Sequence, residues 1–431
     1  MKTKKYNFIV VGSGAGGATL AWELTKRGRE VLILEKGSDI KKLGSFRDIL
    51  NFYDCNRYTK TPKKSKEGII IYRTLMGGGT TVVAAANMVR CFEEEFKEMG
   101  INLSEEFAEA EDEMNVKLSS PKLQSNGSQA IYQAALSLGY EMEPMPKAIN
   151  EELCINCGMC VYGCKQNAKW TAKEYLKKAV DNGAMIKYES PVDNILIEDG
   201  KAYGVEVINN GNEFRYMSDN IILAAGGLGS PVILQNSNIN NSEIGKHLYI
   251  DTFVNVYGIS EDLNQALEPP MEFVDLEFHK EKSFILSPFI NRQRMIRFIE
   301  AGQKGMRMPT NKIIGLMVKT ADTPNGRVNP DGEISKSINK KDEQKLLEGI
   351  KISKEILTKA GADKDHFLVT NPQGAHPGGT CGMGKVVNNN LKTQIDNLYI
   401  CDSSIFPTSP GLPPILTIVA LAKKLTKNLV K

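Results

Sequence analysis

The sequence has few cysteines, few aromatic residues and almost no excess of either charge. Its 431 residues include 8 Cys and 7% aromatic residues, and 54 Lys and Arg against 51 Asp and Glu leave a net charge of +3. This balance argues against nucleic acid as the main partner, because proteins of that class are usually strongly basic. The apolar stretch Pro413–Ala422 near the end is well short of the ~20 residues that a membrane span needs. We therefore expect no nucleic-acid partner and no membrane span.

The start of the chain also lacks the pattern of a secretory signal peptide, in which an apolar segment precedes a small-residue cleavage site. Eight cysteines, four of them closely spaced, do not resemble the disulfide framework of a secreted protein. The proportions of hydrophobic (41%) and charged (24%) residues are those of an ordinary folded domain. The sequence therefore predicts a soluble, cytoplasmic protein.

A glycine-rich turn between a strand and a helix lies near the start of the chain. Phe8–Val11 predicts a strand, Ala18–Arg27 a helix that ends at Gly28, and Val31–Leu34 a second strand. The turn reads Gly12-Ser13-Gly14-Ala15-Gly16-Gly17, which is the GxGxxG fingerprint of a dinucleotide-binding βαβ unit.

Three glycines of this turn and one acid have separate roles in the fingerprint. Gly12 permits the tight turn, Gly14 lets the backbone approach a pyrophosphate, and Gly17 lets the helix pack closely on the sheet. Glu35 follows the second strand and is placed to accept a hydrogen bond from an adenosine ribose hydroxyl. A carboxylate there disfavours the 2′-phosphate of NADP, so the motif predicts FAD or NAD without separating the two.

Three further stretches carry motifs: Gly77–Thr81 leading to Asn87, Gly229–Leu234, and His376–Thr380 with the tail Leu398–Ala422. With the glycine turn, they resemble the glucose–methanol–choline (GMC) oxidoreductases in order and over most of the chain. The resemblance selects FAD as the cofactor. It implies six further FAD-binding residues: Gly78, Gly79, Thr80 and Asn87 at the flavin and its phosphates, Val192 at the adenine, and Asp402 near the pyrophosphate.

The predicted fold class is α/β, with a Rossmann-like FAD-binding domain, an inserted and mostly antiparallel substrate domain, and an iron–sulfur loop. The FAD-binding domain is expected in three parts, at residues 1–145, 171–252 and 371–431. The substrate domain is expected at residues 253–370 and the cysteine loop at residues 146–170. Residues 92–114 are rich in glutamate and predict exposed acidic helix faces.

His376 is the candidate catalytic base. The GMC family oxidises alcohols by moving a hydride to the flavin while a histidine takes the hydroxyl proton, and His376 falls at that position of the family pattern. Imidazole suits this role because its ordinary pKa lies near the operating pH. The family usually has a second His or Asn in the tail, where this chain has Pro413. Proline offers no side-chain donor and no N–H, so another group holds the substrate oxygen or the reaction differs.

Four cysteines with the spacing Cys154-x2-Cys157-x2-Cys160-x3-Cys164 predict one [4Fe-4S] cluster. The spacing is that of bacterial-type ferredoxins. A zinc site, whose ligand pairs usually lie farther apart, and a disulfide pair are the alternatives. Because the fourth Cys of such a run can serve a second cluster, the fourth ligand is either Cys164, which is favoured because it is local, or a remote thiol such as Cys91.

These features together predict an FAD- and [4Fe-4S]-dependent dehydrogenase that acts on a CH–OH group. The hydride goes to FAD with His376 as the base, and the cluster passes electrons singly to an external carrier such as a ferredoxin. One alternative runs the same cofactors in reverse, to reduce a carbonyl or a C=C bond. The other is a non-catalytic redox module that uses the same fold.

Overall fold

The structure is a computed structural model of the chain, and it describes residues 4–55 and 62–430. In that part of the chain the α-helices are α1 (Ala15–Thr25), α2 (Phe46–Ile49), α3 (Glu93–Glu98), α4 (Ser104–Glu113), α5 (Asn126–Ser137), α6 (Ala172–Asp181), α7 (Gly226–Asn236), α8 (Glu277–Lys282), α9 (Arg294–Arg307), α10 (Lys340–Lys359) and α11 (Ile415–Leu429).

The strands are β1 (Lys5–Val11), β2 (Val31–Leu34), β3 (Ile70–Ile71), β4 (Lys117–Leu118), β5 (Met142–Pro144), β6 (Pro146–Lys147), β7 (Met185–Lys187), β8 (Val192–Glu198), β9 (Lys201–Asn209), β10 (Asn212–Leu223), β11 (Lys246–Leu248), β12 (Phe253–Ile259), β13 (Phe273–Asp275), β14 (Phe284–Pro288), β15 (Ile313–Thr320), β16 (Gly326–Val328), β17 (Ile334–Ser335), β18 (Phe367–Val369), β19 (Gln373–Gly374) and β20 (Leu398–Ile400).

The first sheet has the strand order β7-β2-β1-β10-β9-β8, with β20 beside β10. The pairs that join β1, β2, β7 and β20 into the sheet are parallel, whereas β8, β9 and β10 form an antiparallel meander. Every residue of β2 is buried, as expected for a strand covered on both faces. The predicted βαβ unit is therefore present, and it is completed by strands from the middle and the end of the chain.

The second sheet is antiparallel over most of its length, in the order β3-β19-β12-β15-β14-β13-β5, with β18 also beside β12. Only the short β19–β3 pair in it is parallel. The mixed α/β architecture predicted from the sequence is confirmed. This sheet also takes β3 and β5 from the segment assigned above to FAD binding, so residues 253–370 alone do not complete it.

The two sheets are covered by different helices. Helix α1 packs on β1 and β2 of the first sheet, with α6 and α11 against it, while α10 packs on β12, β14 and β15 of the second. In the described residues, no helix combines the length and the apolar character that a membrane crossing requires.

Candidate active site

A cavity of roughly 610 Å³ is lined by residues of both sheets. Val11 and Leu34 line it at the carboxyl ends of β1 and β2, where ligands bind in open α/β sheets. Phe253, Met317 and Lys319 line it from the second sheet. The cavity therefore joins the dinucleotide fingerprint to the inserted sheet.

Most residues that the sequence proposes for the site lie on the wall of this cavity: Gly12, Gly14, Glu35, Gly79, Thr80, Asn87, Val192, His376 and Asp402. Gly17 and Gly78 lie next to this wall rather than on it. The four cysteines of residues 154–164 are outside it, although Val161 and Tyr162 from the same loop are on the wall.

The three fingerprint glycines differ in their surroundings. Gly12 has a φ of +100°, and a Cβ there would collide with the carbonyl oxygen of Ala224. A Cβ on Gly17 would collide with the carbonyl oxygen of Gly12. At Gly14, by contrast, a Cβ would meet no protein atom within 4 Å, and this open side belongs to the cavity. The cradle beside the start of α1 therefore has room for a phosphate group.

Glu35 lies beside this cradle and holds the turn in place. Its carboxylate accepts hydrogen bonds from the backbone N–H of Ser13 at 2.9 Å and from the N–H of Gly37 at 2.7 Å. Because the side chain is buried, desolvation raises the pKa of Glu35 above its ordinary value.

The second glycine run packs directly against the first. The N–H of Gly78 donates to the Ser13 hydroxyl at 3.2 Å, and a Cβ on Gly79 would come within 2.9 Å of the Cα of Gly14. Asn87, farther along, accepts a hydrogen bond from the buried Lys147 Nζ at 2.8 Å. The two runs thus form one continuous wall of the cavity.

Asp402 connects the end of the chain to the start of α7. Its carboxylate accepts from the N–H of Gly226 at 2.9 Å, the hydroxyl of Ser230 at 2.6 Å and the N–H of Ser404 at 2.8 Å. Burial raises the pKa of Asp402 above its ordinary value. Here the carboxylate orders the cavity wall through backbone N–H groups.

His376 lies on the cavity wall and pairs with Asp251, a residue that the sequence analysis missed. Its Nδ1 is 2.9 Å from Oδ2 of Asp251, whose side chain is fully buried. A carboxylate only accepts, so Nδ1 carries the proton and Nε2 keeps a lone pair. Burial and the charge of Lys319 lower the pKa of His376, while Asp251 opposes this shift. The ring is therefore favoured in its neutral form, which can accept a proton.

Pro413 also lines the cavity, as does Pro414, which precedes α11. Neither ring carries a donor. Lys319 is a second residue that the sequence analysis missed, and it is the basic side chain on this wall that acts electrostatically on His376. In the sequence, the only feature that points to Lys319 is the position of a lysine near the end of an apolar stretch.

The predicted cluster ligands Cys154, Cys157, Cys160 and Cys164 share one loop, and all four are free thiols. Throughout residues 4–55 and 62–430, no three His, Cys, Asp or Glu side chains are gathered as a metal site. The predicted ligand set is therefore not assembled in this structure. Cys160 is buried at the start of the short 3-10 helix Cys160–Tyr162, while the other three cysteines of the loop are half-buried.

Comparison with known proteins shows which protein family has this architecture. The GMC oxidoreductase family models match residues 6–252 and 318–422. The uncharacterized protein MJ1450 of Methanocaldococcus jannaschii is 32% identical over 437 residues, which cover 98% of this chain and all of that protein.

More distant relatives include proteins with named activities. The long-chain-alcohol oxidase FAO4B of Arabidopsis thaliana is 23% identical over 517 residues, covering 98% of this chain and 67% of that protein. Among solved structures, pyridoxine 4-oxidase from Mesorbium loti superposes with a TM-score of 0.76 at 15% identity, covering 98% of this chain and 99% of that one. At this identity, the structural match establishes the fold.

Proposed function

We propose, from the premise that the chain belongs to the GMC oxidoreductase family, that it oxidises the CH–OH group of an alcohol. Family membership makes it an FAD-dependent oxidoreductase. The observation that carries the proposal is the buried His376–Asp251 pair on the wall of the cavity that also contains the dinucleotide fingerprint. The similarity to a long-chain-alcohol oxidase supports an alcohol as the substrate class.

In this proposal FAD occupies the cavity along the glycine cradle. Gly14 leaves room for its phosphates, Gly12 and Gly79 let the backbone pack closely beside that space, and Glu35 lies at the ribose. The residues proposed to complete the binding site are Gly17, Gly78, Thr80, Asn87, Val192 and Asp402. When bound, FAD would supply the acceptor for a hydride.

His376 is proposed to take the proton of the substrate hydroxyl at Nε2. Asp251 fixes the tautomer that leaves this nitrogen free to accept, and it stabilises the imidazolium that forms. The lowered pKa of His376 keeps the ring neutral before the substrate arrives. The alcohol would thereby give its O–H proton to His376, and bound FAD would supply the acceptor for its C–H hydride, so that the product would be a carbonyl compound.

The test is anaerobic reduction of the bound flavin by a panel of primary and secondary alcohols. We expect one class of alcohol to remove the absorbance of the oxidised flavin, and His376→Ala to slow this step by about 10²–10⁴-fold. His366→Ala, which changes an exposed histidine paired with Asp363, is the control and should reduce at the wild-type rate. Equal rates in His376→Ala and wild type would remove His376 from the reaction. Reoxidation of reduced flavin by carbonyl compounds, without reduction by any alcohol, would favour the reverse reaction.

We further propose that the loop of residues 154–164 holds one [4Fe-4S] cluster, which would supply one-electron transfer to a carrier such as a ferredoxin. The spacing of the cysteines supports this, and so do two features of their surroundings. The N–H of Ala168 donates to Sγ of Cys164 at 3.3 Å, and the charges of Lys169 and Lys147 oppose the rise that burial causes in the pKa of Cys160. Hydrogen bonds to sulfur and nearby cations both favour an anionic thiolate cluster.

Lys169 connects the segment that follows the cysteines to the cavity. Lys169 Nζ donates to the backbone carbonyl of Val82 at 2.7 Å and also to that of Ala84, which lines the cavity. The segment that follows the cysteines therefore contacts the residues directly after the glycine run proposed to bind the flavin.

The cluster is tested by iron, acid-labile sulfide and flavin analysis of protein purified without oxygen. We expect about four iron and four sulfide per chain. Cys164→Ser should lose the cluster and Cys91→Ser should retain it, and the reverse result would make Cys91 the fourth ligand. A chain with stoichiometric flavin but neither iron nor sulfide would contradict the cluster while leaving the alcohol oxidation untouched.

A further inference from the structure

Lys319 places a buried ammonium on the wall of the cavity. Along β15 the side chains alternate between the two faces of the sheet. Leu316 and Val318 belong to the apolar cluster beneath α10, while Met317 and Lys319 line the cavity. Only 3% of Lys319 is exposed, although a lysine is almost never buried this far without a partner.

Lys319 has no such partner. Within the described residues its Nζ makes no hydrogen bond and no salt bridge, which separates it from the other buried lysines. Lys147 Nζ contacts the side-chain oxygen of Asn87 at 2.8 Å and two backbone carbonyls, Lys336 pairs with Asp322 at 2.6 Å, and Lys423 pairs with several glutamates. A buried, unpaired charge destabilises a fold, so its presence on a cavity wall indicates a partner that comes with the ligand.

The groups that face this ammonium belong to the candidate active site. Asp251 and Cys91 act on its charge, and it acts in turn on His376. Burial lowers the pKa of Lys319 to about 8, and Asp251 opposes that shift, so the ammonium form is present at neutral pH. Pro413, on the same wall, offers no donor.

We propose that Lys319 is the second catalytic group of this site and donates a hydrogen bond from its ammonium to the substrate oxygen. The inference rests on the proposed alcohol oxidation. As the C–H hydride leaves for FAD and the O–H proton moves to Nε2 of His376, negative charge develops on the oxygen that becomes the carbonyl. The ammonium stabilises that charge and keeps its own protons.

If Lys319 only balanced the charge of Asp251, its replacement would have a different effect on the stability of the protein. Replacing a structural buried lysine removes an ion pair and lowers the unfolding temperature. Replacing an unpaired one with an apolar side chain of similar length removes a desolvation penalty. Lys319→Met should therefore unfold at the wild-type temperature or above it.

The experiment compares Lys319→Met and Lys319→Arg with wild type, and uses Lys423→Met as a matched buried control that does not line the cavity. We expect Lys319→Met to bind FAD normally and to lose at least about 10²-fold in the rate of flavin reduction by the alcohol. Lys319→Arg should regain part of this rate because it retains a cationic donor. Lys423→Met should unfold at a lower temperature but reduce its flavin at the wild-type rate.

The pH dependence supplies a second readout. Wild-type flavin reduction should fall as pH rises through about 8, where Lys319 loses its proton. The titratable groups on which Lys319 acts do not titrate there, because burial raises the pKa of Cys91 to about 12 and lowers the pKa of His376 and of His279. The fall should be absent in Lys319→Arg, whose guanidinium stays charged.

Two results would overturn the proposal: wild-type reduction rates in Lys319→Met, or an unfolding temperature that drops as it does in Lys423→Met. If no alcohol reduces the wild-type flavin, the proposed function fails and Lys319 is tested apart from turnover with acetate as a non-reacting oxygen ligand. Saturable perturbation of the flavin spectrum in wild type, at least about tenfold weaker in Lys319→Met, would support the oxygen site. Equal acetate affinity in the two proteins would refute it.

Discussion

Asp251 is the residue on which the geometry of the candidate active site depends. It is fully buried and has a φ of +49°, a left-handed conformation that aspartate tolerates better than most residues. Besides Nδ1 of His376, its carboxylate binds the hydroxyl of Ser409 at 2.6 Å and the N–H of Gly411 at 3.1 Å. Three donors from two separate segments therefore hold the carboxylate in one position, and His376 with it.

Asp251→Asn should preserve the shape of this pair but remove its charge. Asp251 raises the pKa of both His376 and Lys319, so its neutralisation lowers both values. Activity that requires neutral His376 and charged Lys319 should then have both limbs of its pH profile displaced toward acid. At neutral pH we expect flavin reduction to slow by about 10²–10³-fold, measured by anaerobic stopped-flow over a pH series.

The surface of the protein offers a matched control for this prediction. Asp363 pairs with Nδ1 of His366 at 2.6 Å in an exposed position. Asp363→Asn removes the same kind of contact and should leave both the rate and the pH profile unchanged. A profile for Asp251→Asn that keeps both limbs in place would show that the carboxylate does not govern these two groups.

At the scale of single residues, the sequence predicts the site residues that lie in motifs and does not predict the others. The glycine turns and His376 have local patterns, and the structure places them on one cavity wall. Asp251 and Lys319 have none, because they lie beside His376 through strand pairing between distant segments. The cysteine run also has a local pattern, and the cluster that it predicts stays a prediction, because no metal site is gathered in the described residues.

Among the secondary-structure elements, α4 departs most clearly from its predicted environment. The glutamates of residues 92–114 were expected on exposed faces, but Glu106 is fully buried. Lys427 of α11 is 3.0 Å from Glu106, and Lys423 is 2.9 Å from Glu113 and 3.0 Å from Glu23 of α1. One side of α4 is therefore an internal contact with α11, whereas Glu94, Glu95, Glu98 and Glu105 are exposed as predicted. A sequence pattern could not reveal this, because the partner is about 320 residues away.

Glu23 carries much of the charge pairing in this contact. Although burial opposes ionisation, the Arg27, Lys423 and Lys26 side chains lower the pKa of Glu23 to about 2. A carboxyl with a depressed folded-state pKa adds stability above its unfolded pKa of about 4.5, and this contribution is lost as pH falls toward about 2.

Glu23→Gln should therefore lower the free energy of unfolding by about 2–4 kcal/mol near neutral pH, with a smaller difference from wild type at about pH 3.5. Urea unfolding at the two pH values measures both quantities. Glu94→Gln is the control, because Glu94 is 77% exposed and its contact with Lys97 contributes little. A Glu23→Gln difference that does not change with pH would contradict the ion-pair account.

Over the whole molecule, one cavity depends on segments that are far apart in sequence. The first sheet draws strands from three parts of the chain, and the motifs predicted this discontinuity. The second sheet includes the two-residue strands β3 and β19, which are too short to show any periodicity. The sequence could therefore predict the cofactor-binding end of the cavity, but not how the inserted sheet closes its other side.

Because both sheets line the cavity, FAD should protect both of them from local opening. Ligand bound only to the folded state stabilises the elements that contact it, and hydrogen exchange reports this element by element. On removal of FAD, we expect faster exchange in peptides that cover the β1–α1 turn and in those that cover β15. Helix α10, whose buried residues pack against the opposite face of the second sheet, should change much less.

Gly14→Ala separates the effect of the cofactor from that of the fold. A methyl group at this position meets no protein atom, and the backbone φ of −71° is acceptable for alanine. The FAD-free variant should therefore exchange like FAD-free wild type. The added methyl group occupies the space proposed for a phosphate, so FAD should bind at least about tenfold more weakly and protect both sheets less at equal concentration. Protection confined to the first sheet in wild type would mean that the cofactor does not reach the inserted sheet, and the site at His376 would then have to be reconsidered.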